Sequence, residues 1–474
     1  MSIEPAARPQ QRAIAAAAAA LCIASLALFW PGTAMYDTVA QYRQVVSGVY
    51  DDWHPPAMAR VWALLAAFGP GATPMLVLQL VTYWLGLGLI AAALVRVGRS
   101  HSAVAILAIG LLPPFLGWQG AVLKDAQLAG ALLAAVGIIG WWRLSHRPLP
   151  SATLVPIAVL LAYAVLIRAN AVFIVVPLLV TLAPRPIHAV AKLATGLIAV
   201  VLVLGVAPIV NHRLLHAQPS GVEATQALYD LAGLAARVPT SDTTGLTQSE
   251  VAIVIARGCA KPFFWDPLGD EAHCGTTMAR LRALPTATLY VTLATAALHH
   301  PIAYAGHRFA HLNSTDRWLV PFHWPSAAPP AASEPNTLGL ANPGVGARAW
   351  EALTAVVVET PLGWPIAWVV VAIAALAASL SRPRDPIRDL ATALLVSALA
   401  LEASFAVLSI ASDLRYHLWP MIATAVAVVL LADRAPPRKI LAVGASALAL
   451  VVVSGTTARV MLPQPPQTYA GMLG

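Results

Sequence analysis

The chain has 474 residues, 59% hydrophobic and only 11% charged, with a mean hydropathy of +0.73, whereas soluble domains carry about 25% charged residues. That composition excludes a soluble enzyme, a disordered chain and a collagen-like fibre, and it supplies apolar residues for about ten membrane spans of ~20 residues each. The apolar runs are continuous rather than alternating, which argues against an outer-membrane barrel, and the net charge of +8 has to be placed before it is given a meaning.

In chain order, the apolar runs predict about eleven spanning helices in an all-α polytopic membrane protein. They cover residues 14–31, 74–95, 102–117, 121–142, 151–167, 171–184, 190–210, 350–380, 390–411, 415–432 and 440–458. The N-terminus imitates a secretory signal, with Arg8 and Arg12 before the first run. That run ends Phe29-Trp30-Pro31 without a small-x-small cleavage site, which predicts an uncleaved first helix. Residues 57–69 are too short to span and read as interfacial. The plan divides into an N-terminal membrane part (1–211, with a first outer loop at 32–73), a large outer segment (212–349) and C-terminal membrane helices (350–474).

With the N-terminus in the cytoplasm, the short cytoplasmic segments hold Arg8, Arg12, Arg96, Arg99, Arg143, Arg147, Arg185, Lys192, Arg382, Arg384, Arg388, Arg434, Arg438 and Lys439. Only Glu4, Asp385, Asp389 and Asp433 oppose them there. This is the positive-inside pattern. It makes the net charge a property of the cytoplasmic rim, not a sign of nucleic-acid binding, and it predicts a multi-pass protein of the bacterial inner membrane. Trp30, Trp118, Trp141, Trp142, Trp350 and Trp419 lie near predicted helix ends and read as interface anchors.

In the outer segment, residues 221–237 read as a helix, and Thr247-Gln-Ser-Glu250 looks like a capping box opening a helix to Arg257. Residues 285–313, broken by Pro301, read as an interfacial helix. Residues 321–346 are rich in Pro, Ala, Ser and Gly and read as a mobile loop. Cys259 and Cys274 both lie outside the predicted spans, where thiols usually pair, and a disulfide is expected; Cys22 reads as an apolar filler. His307 and His311 are four apart, but no Glu follows His307, so the His-Glu-x-x-His zinc motif is absent; they read as interfacial or acceptor-loop residues. Glu402 lies inside the ninth span. Such carboxylates are functional candidates by default, but a paired structural glutamate is the stronger reading.

The outer turns share one face of the membrane. They carry Asp37, Asp51, Asp52 and His54, then Lys124 and Asp125, then Arg168 and Asn170, then Asp413, Arg415, Tyr416 and His417. Charges beside hydrocarbon are costly, so carboxylates and three separate cations gathered there predict a site for an anionic, lipid-linked substrate.

Met35-Tyr36-Asp37-Thr38 and Gly48-Val49-Tyr50-Asp51-Asp52-Trp53-His54-Pro55-Pro56 resemble motifs of the GT-C superfamily of integral-membrane glycosyltransferases, notably the protein O-mannosyltransferase and aminoarabinose transferase branches. Lys124-Asp125 and Asp413-Leu414-Arg415-Tyr416 look like motifs of related polyprenyl-phosphate-sugar-dependent transferases. In that family a second acid often follows the first, and here Thr38 stands in its place. The resemblance implies a GT-C-like helical fold and transfer of a sugar from a polyprenyl-phosphate donor to a glycan, lipid or protein acceptor of the cell envelope, on the periplasmic face.

A phosphate leaving group departs as an anion, so the two carboxylates of a glycosidase are not needed. One base suffices to deprotonate the acceptor hydroxyl, and direct displacement inverts the anomeric centre. Asp37 is the expected base, with the Asp51/Asp52 pair as the alternative. Lys124, Arg168 and Arg415 are expected on the donor phosphate, and each has the alternative of binding lipid headgroups. Asp51, Asp52, Trp53, His54 and Tyr416 are expected on sugar or acceptor. Asp52 and His54 also read as ligands of a divalent cation, Mg²⁺ or Mn²⁺, with sugar binding or loop orientation as alternatives. Two rival functions share these features: a flippase or transporter of lipid-linked saccharides, and a polymerase joining them. A transporter should place charges at the midplane between repeated halves, and this chain gathers them at one face and shows no halves.

Overall fold

The computed structural model describes residues 7–183 and 188–473. Glu4, Arg185 and the last residue of the predicted 171–184 span lie outside the described residues. The first half comprises α1 (Ala7–Phe29), α2 (Tyr36–Ser47), α3 (Ala57–Leu65), α4 (Thr73–Arg96), α5 (Ser100–Ile109), α6 (Pro113–Gly120), α7 (Lys124–Arg143), α8 (Ser151–Ile167), α9 (Val172–Leu182) and α10 (Ala189–Ile209). Shorter helices follow: α11 (Thr225–Ala235), α12 (Gln248–Ala256), α13 (Asp266–Gly269), α14 (Ala279–Arg282), α15 (Thr286–His299), α16 (Pro301–Thr315) and α17 (Val345–Val357). The chain ends with α18 (Pro365–Leu380), α19 (Pro386–Leu408), α20 (Leu418–Leu431), α21 (Arg438–Met461) and α22 (Tyr469–Leu473). No strand forms among the described residues; three isolated bridges do.

Among the described residues, seven helices are long and apolar enough to cross a membrane, or eight if α5 and α6, bent by 52° at their junction, form one span. They are α1, α4, α7, α10, α19, α20 with the 3-10 turn before it, and α21. The expected span 350–380 is divided. Pro361, Gly363 and Pro365 interrupt it, because proline lacks the donor that an uninterrupted helix requires. Its first part, α17, packs on α6 as a separate short helix.

Close approach of α4 and α7 centres the bundle. Gly86 and Gly137 face each other, and a Cβ on Gly137 would lie 2.7 Å from the Gly86 carbonyl oxygen. Lipid supplies no hydrophobic drive for helix association, so small residues that let backbones touch carry the packing. Trp118 and Trp419 belong to this interior rather than to an interface belt. Each is 1% exposed, and their indole N–H groups donate to the Ala327 carbonyl and the Ser397 hydroxyl.

Backbone pairing then fixes one end of the bundle. Thr33 N–H donates to the Gly120 carbonyl at 3.0 Å, and Val122 N–H donates to the Thr33 carbonyl at 2.9 Å. The end of α6 and the extended Ala121 after it are held by the buried Gln79 amide, which donates to the carbonyls of Gln119 and Ala121. In hydrocarbon such carbonyls must find a protein donor, which accounts for a glutamine inside a spanning helix.

Residues 216–344 arch over that end. They have their own apolar cluster, built on Leu228, Leu231, Val254, Leu281 and Leu289, with Cys259 and Cys274 joined as a disulfide inside it. The Thr247/Glu250 capping box forms and opens α12. Pro301 divides the predicted 285–313 helix into α15 and α16. The 321–346 stretch has no helix through residue 344, but it is pinned rather than free. Glu334 N–H donates to Ala34, Ser333 accepts from Ala34 N–H, and Leu414 N–H donates to Ser326. Its prolines preclude helix without precluding attachment.

A methyl group on Gly86 would press on the backbone of Leu133 and Ala134, which cannot swing away as a side chain can. Gly86→Ala should therefore cost about 1–3 kcal/mol, read as a lowered thermal midpoint of the detergent-purified protein.

Candidate functional site

Four chain segments deliver charge to the pinned end of the bundle. Asp37 sits in the first turn of α2, not at the end of the first spanning helix, which stops at Phe29. Thr38 explains the departure from a second acid. Its hydroxyl donates to the Val122 carbonyl at 2.6 Å and accepts from Met35 N–H at 2.9 Å, so it fastens the start of α2 to the segment leading to Lys124. Lys124 and Asp125 open α7, Arg168 ends α8, and Arg415 lies in the 3-10 turn Leu414–His417.

These side chains interlock. Arg415 Nη2 is 3.2 Å from Asp37 and 3.2 Å from Asp413, and its Nε is 3.7 Å from Asp125. Arg168 pairs with Asp125 and lies over the Tyr416 ring at 4.2 Å. Lys124 Nζ is 3.8 Å from Asp37 and 2.9 Å from His54 Nδ1. The cluster thus sets three carboxylates, Asp37, Asp125 and Asp413, against three cations. Asp125 and Asp413, which the sequence places among the outer charges without a role, are the counterions. Their signal was the placement of each acid within two residues of a predicted cation.

Burial alone would raise the Asp37 pKa, but Arg415 first and then Lys124 outweigh it and hold the carboxyl well below the usual range. Burial, and then the charge of Lys124, push His54 down to about 3. His54 is therefore a neutral imidazole. Its Nδ1 accepts from the Lys124 ammonium, so Nε2 carries the proton and faces Asp37 at 3.8 Å.

The remaining first-loop residues serve elsewhere. Asp51 accepts from Trp53 N–H. Asp52 accepts from Ser220 N–H and lies 3.4 Å from His212, while its own N–H donates to the Gln218 carbonyl. Asp52 and His54 are thus turned to different partners, one to the arching segment and the other to Lys124 and Asp37. Neither side chain has the other among its polar partners, so these contacts do not bring the expected metal pair of Asp52 and His54 together. Trp53 packs on Trp265 with centroids 5.5 Å apart and remains 37% exposed, leaving ring surface free.

His307 and His311 are not acceptor-loop residues: both are buried, 3% and 0% exposed. His307 meets Asp230 at 3.0 Å, and His311 Nδ1 donates to the Pro262 carbonyl at 2.7 Å. Between them Arg308 pairs with Asp230 at 2.9 Å and donates to the carbonyls of Phe405, Ala406 and Ser409. It satisfies the unpaired C-terminal carbonyls of α19 and ties the arching segment to the membrane helices. The four-residue spacing builds this joint, not a ligand pair.

A cavity of about 180 Å³ adjoins the cluster, lined by Arg168, Asn170, Phe405, Leu408, Ile410 and Tyr416 among others. A larger groove of about 340 Å³ lies at the other end of α20, between α18 and α21, away from the charges. From the arching segment, Asp266 accepts from the Tyr469 hydroxyl at 3.1 Å. Burial pushes the Asp266 carboxyl up to about 6, against that hydrogen bond, with the nearby charges of Asp413 and Asp37 adding to the rise. No sequence motif marked Asp266.

Comparison of the chain with protein-family models and with curated proteins gives no match. The likeness to membrane glycosyltransferases therefore rests on the short motifs around residues 35–56, 124–125 and 413–416.

The raised Asp266 pKa fixes a sign. Between the ordinary value of 3.8 and about 6 the folded form binds more protons than the unfolded one, so stability falls as pH rises through that window. Asp266→Asn should flatten that slope in thermal melts across the same range.

Proposed function

We propose that the protein is an inverting glycosyltransferase that moves a sugar from a polyprenyl-phosphate donor to a cell-envelope acceptor on the extracytoplasmic face of a bacterial inner membrane. The acceptor is a glycan, lipid or protein. Counting α8, α9 and α18 as short spans beside the eight candidates gives eleven, as the apolar runs suggest, with the N-terminus cytoplasmic and a large periplasmic segment between α10 and α18. The family assignment is GT-C-like. The observation that carries the reading is the meeting of Asp37 with Lys124 and Arg415, and of Arg168 through Asp125, at one end of an apolar bundle.

Two side chains of opposite charge about 4 Å apart interact by about 4 kcal/mol at an effective dielectric of 20. Lys124 and Arg415 spend that interaction on Asp37, which is ionised but a weak base. An arriving phosphate monoester or diester competes for the same cations. Each cation it draws away leaves the Asp37 carboxylate with less compensation and greater proton affinity. The donor therefore readies its own base: Asp37 becomes strong only when the leaving group is in place.

The step balances without a cofactor. The acceptor oxygen bonds to the anomeric carbon as its proton passes to Asp37, and the bond from that carbon to phosphate oxygen breaks with inversion. The phosphate leaves as polyprenyl phosphate, its charge met by Lys124, Arg168 and Arg415. Neutral His54, with Nε2–H toward Asp37, orients the carboxylate. The apolar lip formed by Phe405, Leu408 and Ile410 beside Arg168 suits a prenyl chain whose phosphate lies at the cations. Trp53 offers a ring face to the sugar.

General-base catalysis is worth about 10²–10⁴-fold. With synthetic polyprenyl-phosphate sugars and purified protein, Asp37→Asn should lower kcat by that factor while donor KM changes little. Equal turnover in both proteins would remove Asp37 as base. Absence of transfer with every donor, together with donor-dependent flipping in vesicles, would favour the transport reading.

A further inference from the structure

A second group of ionisable side chains lies deeper, outside the proposed active site. Asp316 follows the last turn of α16, Glu402 is on α19, and His417 ends the 3-10 turn that carries Arg415. One ligand-type atom from each lies within 4.8 Å of the other two. All three are buried, at 8%, 7% and 0% exposure. His417 Nδ1 is 2.9 Å from both Glu402 oxygens, and Nε2 is 3.0 Å from the Thr315 hydroxyl. Asp316 Oδ1 is buried without a hydrogen-bond partner.

The charges do not close. Asp37, Asp125 and Asp230 each meet an arginine. Among the described residues, no lysine or arginine pairs with Asp316 or Glu402; Glu402 has only His417. Two buried carboxylates against one imidazole leave negative charge in a medium where each uncompensated ion costs several kcal/mol. A divalent ion with two carboxylates and one neutral imidazole sums to zero.

We propose that Asp316, Glu402 and His417 bind a divalent transition-metal ion of the Zn²⁺ or Mn²⁺ class. Mixed imidazole and carboxylate donors suit that class. His417 presents Nδ1 to the ion, and Nε2–H then donates to the Thr315 hydroxyl, which holds the ring in that tautomer. The ion joins three distant chain segments: the end of α16 in the arching segment, the interior of α19, and the turn before α20. Because His417 is two residues from Arg415, the ion also fixes the turn that carries Arg415. The proposal stands independently of the reaction assigned above, and its ligands are not the Asp52 and His54 pair suggested by sequence.

The test is the metal content of full-length protein, purified in detergent through a tag that does not bind metal. Expected is about one Zn or Mn per chain, lost in Glu402→Gln and Asp316→Asn. Wild type stripped with chelator should melt at least a few degrees lower and recover on adding micromolar ZnCl₂ or MnCl₂. This second measurement holds even if a variant fails to fold. Metal-free wild type whose melting is unchanged by chelator and by either salt overturns the proposal, and leaves a proton shared by the two carboxylates as the charge balance.

Discussion

Arg415 is the side chain on which the charged end of the molecule depends. It reaches Asp37, Asp125 and Asp413 at once, and Asp125 in turn holds Arg168. Removing one partner from such a buried set strands the others and typically costs 3–5 kcal/mol. The cluster therefore unites α2, α7, the end of α8 and the turn before α20 more strictly than apolar packing could, since hydrocarbon contacts are as good with lipid as with protein. Asp37 is also the proposed base, so the residues that hold the end together are those the chemistry would redistribute. In the proposed reaction these roles fit through the substrate's charge: a phosphate entering the cluster would replace what it disturbs.

The arching segment is fastened by polar devices as well. Arg308 satisfies the C-terminal carbonyls of α19 while neutralising Asp230. Residues 50–52 pair with Gln218, Trp265 N–H donates to Ile410, and residue 34 pairs with residues 333–334. Each attachment lands beside a segment that carries a cluster residue. The roof over the site and the site itself are therefore ordered together, and the proposed ion at Asp316, Glu402 and His417 would add a further tie along the same seam.

Much of this was legible along the chain because its causes are local. Apolar runs set the helices, Pro301 divided α15 from α16, and Thr247 with Glu250 opened α12, each through backbone chemistry acting over a few residues. Cysteine count and compartment were enough to expect the Cys259–Cys274 bridge. The charged turns could be gathered on one face because alternating spans return the chain to it. Where pattern misled, it was through an unseen neighbour. Trp118 and Trp419 look like anchors until the helices that bury them are known, and His307 and His311 look like interfacial or acceptor-loop residues until Asp230 and Pro262 take up the rings.

The sequence by itself determined an all-helical membrane chain and the identity of the charges at its turns, since hydropathy and spacing are properties of adjacent residues. Only the tertiary structure decided which acid meets which base, that Thr38 pins Asp37 to the Lys124 segment, that His54 and Asp52 part company, and that Asp266 and Asp316 come near residues hundreds of positions away in some cases. Such meetings depend on how distant segments cross, and no local pattern encodes the crossing.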